Sequence, residues 1–405
     1  MFVVMKAQKI GSYRKRIAIT GLLALSLAGC RPREFPAYPA NYREYAYVTN
    51  GASGTVTVLD VVNVRVDREI AVGQNPVAVA ASPTRNEVYV VNSGAPGGQG
   101  SISVLNAQNN TVAATIPVRR QPVAIELSAD GNLAYIANSG SNNISVVDLT
   151  ARRELALVGV GEQPVAVRLS PDGKTLVVAN RHSNSVTLID PQSLAVRATF
   201  AGCPGASDAV VLPDSSKTFI ACSGGHQIMA IALARPAASP AQSAAAAQSA
   251  AAVQSDRLEA LLDVGHAPVQ LALKPDGGEL FVSNSLSGSI SEVVTSTDDV
   301  GGAYLMGDTP VSGLVSGDNS MLYVSNLKSQ YVTPYAIDDG RRLLSIHVGD
   351  GPSAPAFSSS GYLLFAVDTR SDDVAVVRTA LSSLFTLLPT GRSPNAIAVK
   401  AFKLP

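Results

Sequence analysis

Beyond residue 44 the chain is built of short runs in which apolar and polar positions alternate, separated by clusters of Gly, Asn, Ser, Asp and Pro. Period-two alternation is what a half-buried β-strand requires, and the separating residues are those that make tight turns. After Pro164, Val165, Val167 and Leu169 alternate with Ala166 and Arg168, and Pro171-Asp172-Gly173 supplies a turn. Leu176 to Ala179 predicts a second strand, Ser185 to Ile189 a third and Arg197 to Phe200 a fourth.

This unit recurs with a step of 42 residues. Asn50, Asn92, Asn138, Asn180, Cys222, Asn284, Asn326 and Asp368 each close a strand. Tyr47, Tyr89, Tyr135, Val177, Phe219, Phe281, Tyr323 and Phe365 stand three positions earlier. Pro76, Pro122, Pro164, Ala206, Pro268, Pro310, Pro352 and Pro394 open another strand. Two units are longer: Ala95 to Gly100 extends a hairpin, and an Ala/Gln/Ser-rich insertion occupies about residues 234–257. One such sheet cannot bury its apolar faces alone, but copies stacked radially bury each other. The repeat therefore predicts an all-β, eight-bladed β-propeller with four antiparallel strands per blade. The chain enters in a second strand at Tyr45 and finishes on a lone first-strand pattern, Pro394 to Val399. The first blade must then combine strands from both termini and close the ring.

Tyr47-Val48-Thr49-Asn50, with near copies such as Tyr323-Val324-Ser325-Asn326, resembles the YVTN-type propeller repeat over residues 45–400. Seven blades are commoner among such relatives and remain the alternative count. The resemblance implies architecture and says little of function. The aligned Asn residues read as structural, each locking its own turn through side-chain to backbone hydrogen bonds.

The N-terminus reads as an address. Arg14-Lys15-Arg16 precedes an apolar stretch from Ile17 to Leu27, too short for the roughly 20 residues of a membrane-spanning helix. Leu27-Ala28-Gly29-Cys30 follows and resembles the lipobox of bacterial lipoprotein signal peptides. The resemblance implies cleavage before Cys30 and its lipidation, several acyl chains giving a durable anchor where one is marginal. An ordinary signal peptide with a chance cysteine is the plainer alternative. Arg31 at the next position implies forwarding to the outer membrane in a Gram-negative host, facing the periplasm or the cell surface. Residues 1–29 are then the signal peptide, and 30–44 a lipid-anchored tether stiffened by Pro32, Pro36 and Pro39.

Charge sharpens this picture. The formal charge of the 405 residues is zero, but Lys6, Lys9, Arg14, Lys15 and Arg16 precede Cys30 without any acid, so the exported chain carries about −5. A mildly acidic chain without clustered Lys or Arg argues against a nucleic-acid partner. The expected partners are the membrane, through Cys30, and other envelope proteins.

Candidate chemistry is sparse. Glu126, Arg168, Asp208 and Gln270 fall on four consecutive inner strands, where most copies carry small residues. They read either as a polar ligand site at the channel or as a blade-to-blade ion-pair network, since buried charges need partners. Glu126 and Arg168 share a register and are expected to pair directly or through water. His182 and His226 lie in second-to-third-strand loops, and His266 precedes a first strand, which places all three on one face. They are weak metal or haem ligands, and solvated loop histidines are the plainer reading. His347 falls on an outer strand. Cys203 and Cys222 flank the first hairpin of one blade, and in an oxidising compartment a disulfide is expected there. That bond requires the loop to fold back over four residues, since the register places Cys222 near Ser207.

No G-x-S-x-G elbow, H-E-x-x-H or phosphate-binding loop occurs in the chain. The leading expectation is therefore a non-enzymatic binding or scaffolding lipoprotein of the envelope, without a cofactor. The alternative is a periplasmic redox or haem-handling protein, because propellers of nitrite reductases and haem-maturation proteins share the blade count. A third reading is a lactonase-like hydrolase, as in some seven-bladed relatives, with Glu126 and Asp208 holding a metal.

Overall fold

The computed structural model describes residues 36–234 and 255–404; Cys30, and residues 235–254 of the Ala/Gln/Ser tract, lie outside the described residues. Eight antiparallel sheets stand around a ring, each running outward from an inner strand in the order first, second, third, fourth. The inner strands are Pro394–Lys403, Pro76–Ala81, Pro122–Leu127, Pro164–Leu169, Ala206–Val211, Pro268–Leu273, Pro310–Val315 and Pro352–Phe357, here defining blades 1 to 8. Each inner strand packs against the next, including those of blades 8 and 1.

Burial follows position in the blade. The second and third strands are buried on both faces, as in Leu176–Asn180 and Ser185–Ile189. The fourth strands are half exposed, as in Arg153–Gly159. No single core exists; apolar clusters each straddle two neighbouring blades. Val177, Val186 and Leu188 of blade 4 pack on Ala209, Ile220, Met229 and Ile231 of blade 5. Each blade thus contributes both faces to its neighbours, which is why the isolated unit is unstable and the closed ring is not.

Closure occurs in blade 1. Tyr42–Asn50 runs antiparallel to Pro394–Lys403, from Tyr42 opposite Lys403 to Asn50 opposite Pro394. This blade is tied to both neighbours by buried charged residues. Glu44, wholly buried, accepts the Ser359 backbone N–H of blade 8 at 2.6 Å and the Tyr42 hydroxyl at 2.8 Å. Lys400 donates to the Ser82 carbonyl of blade 2 at 2.6 Å, and burial holds its amine below the usual lysine range.

Blade 7 departs from the pattern. Its fourth strand is split into Arg341–Arg342 and Ile346–His347, both paired with Tyr331–Ala336. Pro334 stands in that third strand and has no N–H to give the ladder; its carbonyl still accepts the Leu343 N–H at 2.9 Å, and Leu344 is left 90% exposed.

Candidate functional site

Antiparallel strands put the second-to-third-strand loops and the blade-to-blade loops on one end of the ring, the upper face, and the remaining loops on the lower face. Beneath the upper face lies the Asn column. In six blades the Asn side chain is buried and hydrogen-bonds across the hairpin to the third strand. Asn180 reaches the hydroxyls of Ser185 at 3.3 Å and Thr187 at 2.9 Å, and Asn284 those of Ser289 at 3.4 Å and Ser291 at 3.0 Å. The expectation of turn-locking to backbone is met in part only in blade 7, where Asn326 donates to the Tyr331 carbonyl at 3.3 Å. Elsewhere the partners are third-strand side chains, which the strand register brings to the same face: hydroxyls in blades 1, 2, 4 and 6, and the Asn143 amide oxygen with the Ser145 hydroxyl in blade 3. In five of these blades a glycine of the preceding blade-to-blade loop closes over the amide; in blade 3 Arg119 stands at that position. A Cβ at Gly73 would stand 2.6 Å from Asn92, and one at Gly161 would stand 2.8 Å from Asn180.

Two blades break this column. In blade 5 Cys222 replaces the Asn and Cys203 replaces the covering Gly, so two positions in contact elsewhere carry the two thiols. Their Cα atoms are 4.8 Å apart and the sulfurs 2.11 Å apart, within bonding distance. Cys222 lies opposite Ala206 rather than Ser207, because the inner strand bulges between Ala206 and Asp208. A turn closed by the Ala206 N–H on the Cys203 carbonyl, 3.2 Å, performs the fold-back. Protein purified without residues 1–30 is expected to show no free thiol after denaturation without reductant, and two free thiols would refute the bond. With the cysteines 19 positions apart in sequence, Cys222→Ser should cost about 3 kcal/mol in urea unfolding.

In blade 8 the Asn is replaced by Asp368 and the residue five positions on by Asp373. Asp368 is wholly buried and accepts the Gly349 N–H at 2.9 Å. Burial, and then the hydrogen bond and charge of Asp373, push its carboxyl up to about 8. Burial raises Asp373 as well. Two carboxyls placed where other blades carry amide and hydroxyl hold a proton between them.

The polar residues of the inner strands form a directional lacing. Glu126 of blade 3 accepts the Leu169 N–H of blade 4 at 3.4 Å. Asp208 of blade 5 accepts the Leu271 N–H of blade 6 at 3.1 Å, and Gln270 of blade 6 the Gly313 N–H of blade 7 at 2.7 Å. In each case the acceptor takes the N–H one step further along the next inner strand. That stagger corrects the direct pairing expected of Glu126 and Arg168. Arg168 instead turns forward and donates to Asp208 at 3.0 Å. Glu126 feels the guanidinium only at a distance: burial raises its carboxyl, and the Arg168 charge opposes the rise. Burial raises Asp208 too, again opposed first by Arg168. The Arg168 side chain is 37% exposed and that of Asp208 is 11% exposed. Arg168→Ala should cost about 2 kcal/mol, less than a fully buried pair, and Asp208→Asn in the same chain should recover most of it. Urea unfolding of the two variants checks both.

The histidines only partly converge. The rings of His226 and His266 stand 5.8 Å apart, edge to face, and His226 Nε2 is 3.6 Å from Asp263. His182 lies exposed on the neighbouring blade and joins neither. Among the described residues no group of three or more His, Cys, Asp or Glu is placed to hold a metal ion. His347 sits on the outer wall against Gln330 and Tyr331. Glu44, Lys400 and the Asp368–Asp373 pair escaped the reading of the sequence. Only the last left a signal there, as an acid in the Asn column with another acid five residues on.

Comparison with known proteins gives this fold a setting. A family model described as lactonase, seven-bladed β-propeller, matches residues 28–207, under half of the chain. No curated protein matches. Among solved structures, dihydro-haem d1 dehydrogenase NirN in complex with DHE is similar at 15% identity and a TM-score of 0.68, with 92% of this chain and 78% of that one covered. Hydrazine synthase of Kuenenia stuttgartiensis is similar at 22% identity and a TM-score of 0.55, covering 82% of this chain and 92% of that one. A functionally unknown protein from Desulfotomaculum acetoxidans shares 13% identity at a TM-score of 0.55, covering 88% and 98%. Identities this low establish the common β-propeller fold and nothing finer.

Proposed function

We propose that the chain is an envelope lipoprotein of the YVTN-repeat type, anchored through Cys30, whose propeller is a non-enzymatic platform for other envelope proteins. The observation that carries this reading is the lacing of the channel. Glu126, Arg168, Asp208 and Gln270 are engaged by neighbouring blades, so their polarity serves the ring, while the upper loops stay open to a partner. The basic and apolar N-terminus ending in Leu27-Ala28-Gly29-Cys30 supplies the anchor. Labelling cells with a palmitate analogue tests the anchor, with incorporation expected in the native chain and none in Cys30→Ala. Cross-linking in the native membrane from a photoreactive residue at His182 tests the platform; it should capture a discrete envelope protein, and an absence of adducts counts against it.

A haem-handling role is the second reading. It is favoured by the juxtaposed His226 and His266 and by the likeness in fold to dihydro-haem d1 dehydrogenase NirN. The two imidazoles are the groups this chain would offer as axial ligands. Titration with haem followed by visible absorption separates the readings. A Soret shift lost in the double His226→Ala/His266→Ala variant supports haem handling, and an unshifted spectrum supports the platform. The lactonase-like reading rests on the partial family match alone.

A further inference from the structure

On the lower face, neighbouring first-to-second-strand loops are stitched together at several seams. Thr84 donates to the Asp130 carbonyl at 3.0 Å between blades 2 and 3, and the Asp172 N–H to Ser215 at 3.0 Å between blades 4 and 5. The Asp276 N–H donates to Asn319 at 3.3 Å between blades 6 and 7, and Glu44 joins blades 8 and 1. Between blades 7 and 8, no hydrogen bond among the described residues joins loop 316–320 to loop 358–361. The seam opens there into a cleft of about 660 Å³, within the roughly 300–1,000 Å³ of small-molecule sites.

Its chemistry is specific. The floor is Met321, Tyr323 and Phe357, the two rings edge to face at 5.8 Å. The rim carries Ser316, Ser320, Ser358, Ser359, Ser360 and Thr379, and Asp318 is the one charged side chain in the lining. Asp318 is held in place: its Oδ1 accepts the hydroxyls of Ser316 at 2.6 Å and Ser320 at 2.8 Å, and the Ser320 N–H at 3.2 Å. Those bonds keep the carboxyl below its usual range, hence ionised, while Oδ2 stays free to accept. With the Asp318 carboxylate as its one charged side chain, the site disfavours anions. The half-buried Phe357 ring, backed by the buried Tyr323, offers an apolar surface to the C–H face of a ring, and hydroxyls with a fixed carboxylate match a ligand rich in hydroxyl donors and acceptors.

We propose that the cleft between blades 7 and 8 is a binding site for a neutral, polyhydroxylated ligand, a saccharide of one or two rings. The site lies on the face opposite the histidines and depends on neither lipidation nor a protein partner. A neutral sugar reaches it either free or as a unit of an envelope glycan; the chemistry recognised is the same.

The test uses the chain lacking residues 1–30, with maltose, cellobiose and N,N′-diacetylchitobiose as probes and glucuronic acid as the anionic control. Binding is read by NMR line broadening of sugar protons and by calorimetry. At least one neutral disaccharide is expected to bind, and glucuronic acid is expected not to. Gly317 lines the cleft, and a Cβ there meets nothing within 4 Å, so Gly317→Trp fills the site without strain. That variant should weaken binding at least tenfold with an unchanged thermal transition; Asp318→Ala should weaken binding as much, with some loss of stability because its carboxylate also ties the 316–320 turn. No binding of any neutral disaccharide up to tens of millimolar, or equal binding by Gly317→Trp, overturns the proposal. Co-sedimentation with purified peptidoglycan assigns a polymeric source, and binding of free sugar without it assigns a soluble one.

Discussion

Deletion of residues 394–405 is expected to abolish folding, leaving a chain with no cooperative urea transition that collects in the insoluble fraction. Those residues include the whole inner strand of blade 1, paired with Tyr42–Asn50 along its length. Their loss removes the Lys400 contact to blade 2 and the bond from Asn395 to the Pro76 carbonyl at 3.0 Å. It also opens the ring, exposing the edge of Tyr42–Asn50 and the inner faces of blades 8 and 2 to water. The lost burial far exceeds a domain's net stability, typically about 5–15 kcal/mol. A circular permutant separates loss of the strand from loss of chain continuity. Tyr42 lies opposite Lys403, so a short turn between them makes blade 1 an ordinary hairpin, and new termini at the exposed Gly97 interrupt no strand. That permutant should fold with native-like stability; failure of both chains to fold would shift the cause from ring closure to chain order.

Asp368→Asn is expected to stabilise the protein by about 2 kcal/mol at pH 8 and to flatten its pH dependence. Wild-type Asp368, raised to about 8, keeps its proton in the folded chain where the unfolded chain has lost it. More protons bound in the native state means that stability is full below the ordinary Asp range near pH 4. It falls as pH rises through the window from about 4 to about 8 and is level above it. The neighbouring charged groups act in the same sense: Asp373 lies beside it, and Asp372 raises Asp373 in turn. Asn is the residue that six other blades carry here, and its amide would donate to Asp373, as Asn138 donates to Asn143 at 2.9 Å. Urea unfolding of both chains from pH 5 to pH 8.5 gives the result. A wild-type curve that rises with pH, or parallel curves for the two chains, would falsify the account.

The Asn column also shows how much of this molecule was legible beforehand. Strand periodicity, the 42-residue step, the blade count and the two-terminus closure are local or repetitive properties, written once per blade and readable by comparing copies. The departures from the repeat were equally visible: Cys203 and Cys222 in blade 5, and Asp368 in blade 8. What they do was not, because each acts on a residue brought to it by a bulge or by strand pairing. The Cys203 turn, the hydroxyls facing each Asn and the carboxyl facing Asp368 depend on register.

Relations between blades were hidden altogether. Glu126 and Arg168 hold the same place in their repeats and so look like partners, but stagger offers the Glu126 carboxylate a backbone N–H and sends Arg168 to Asp208. Glu44 and Lys400 look like ordinary surface charges at the two ends of the ring, and closure buries both. The lower cleft opens between two blades, and its floor and rim come from both. Repetition determines what each blade is, since one blade's strands are contiguous in the chain. What neighbouring blades do to each other is decided by their stagger in the ring, which no local pattern records.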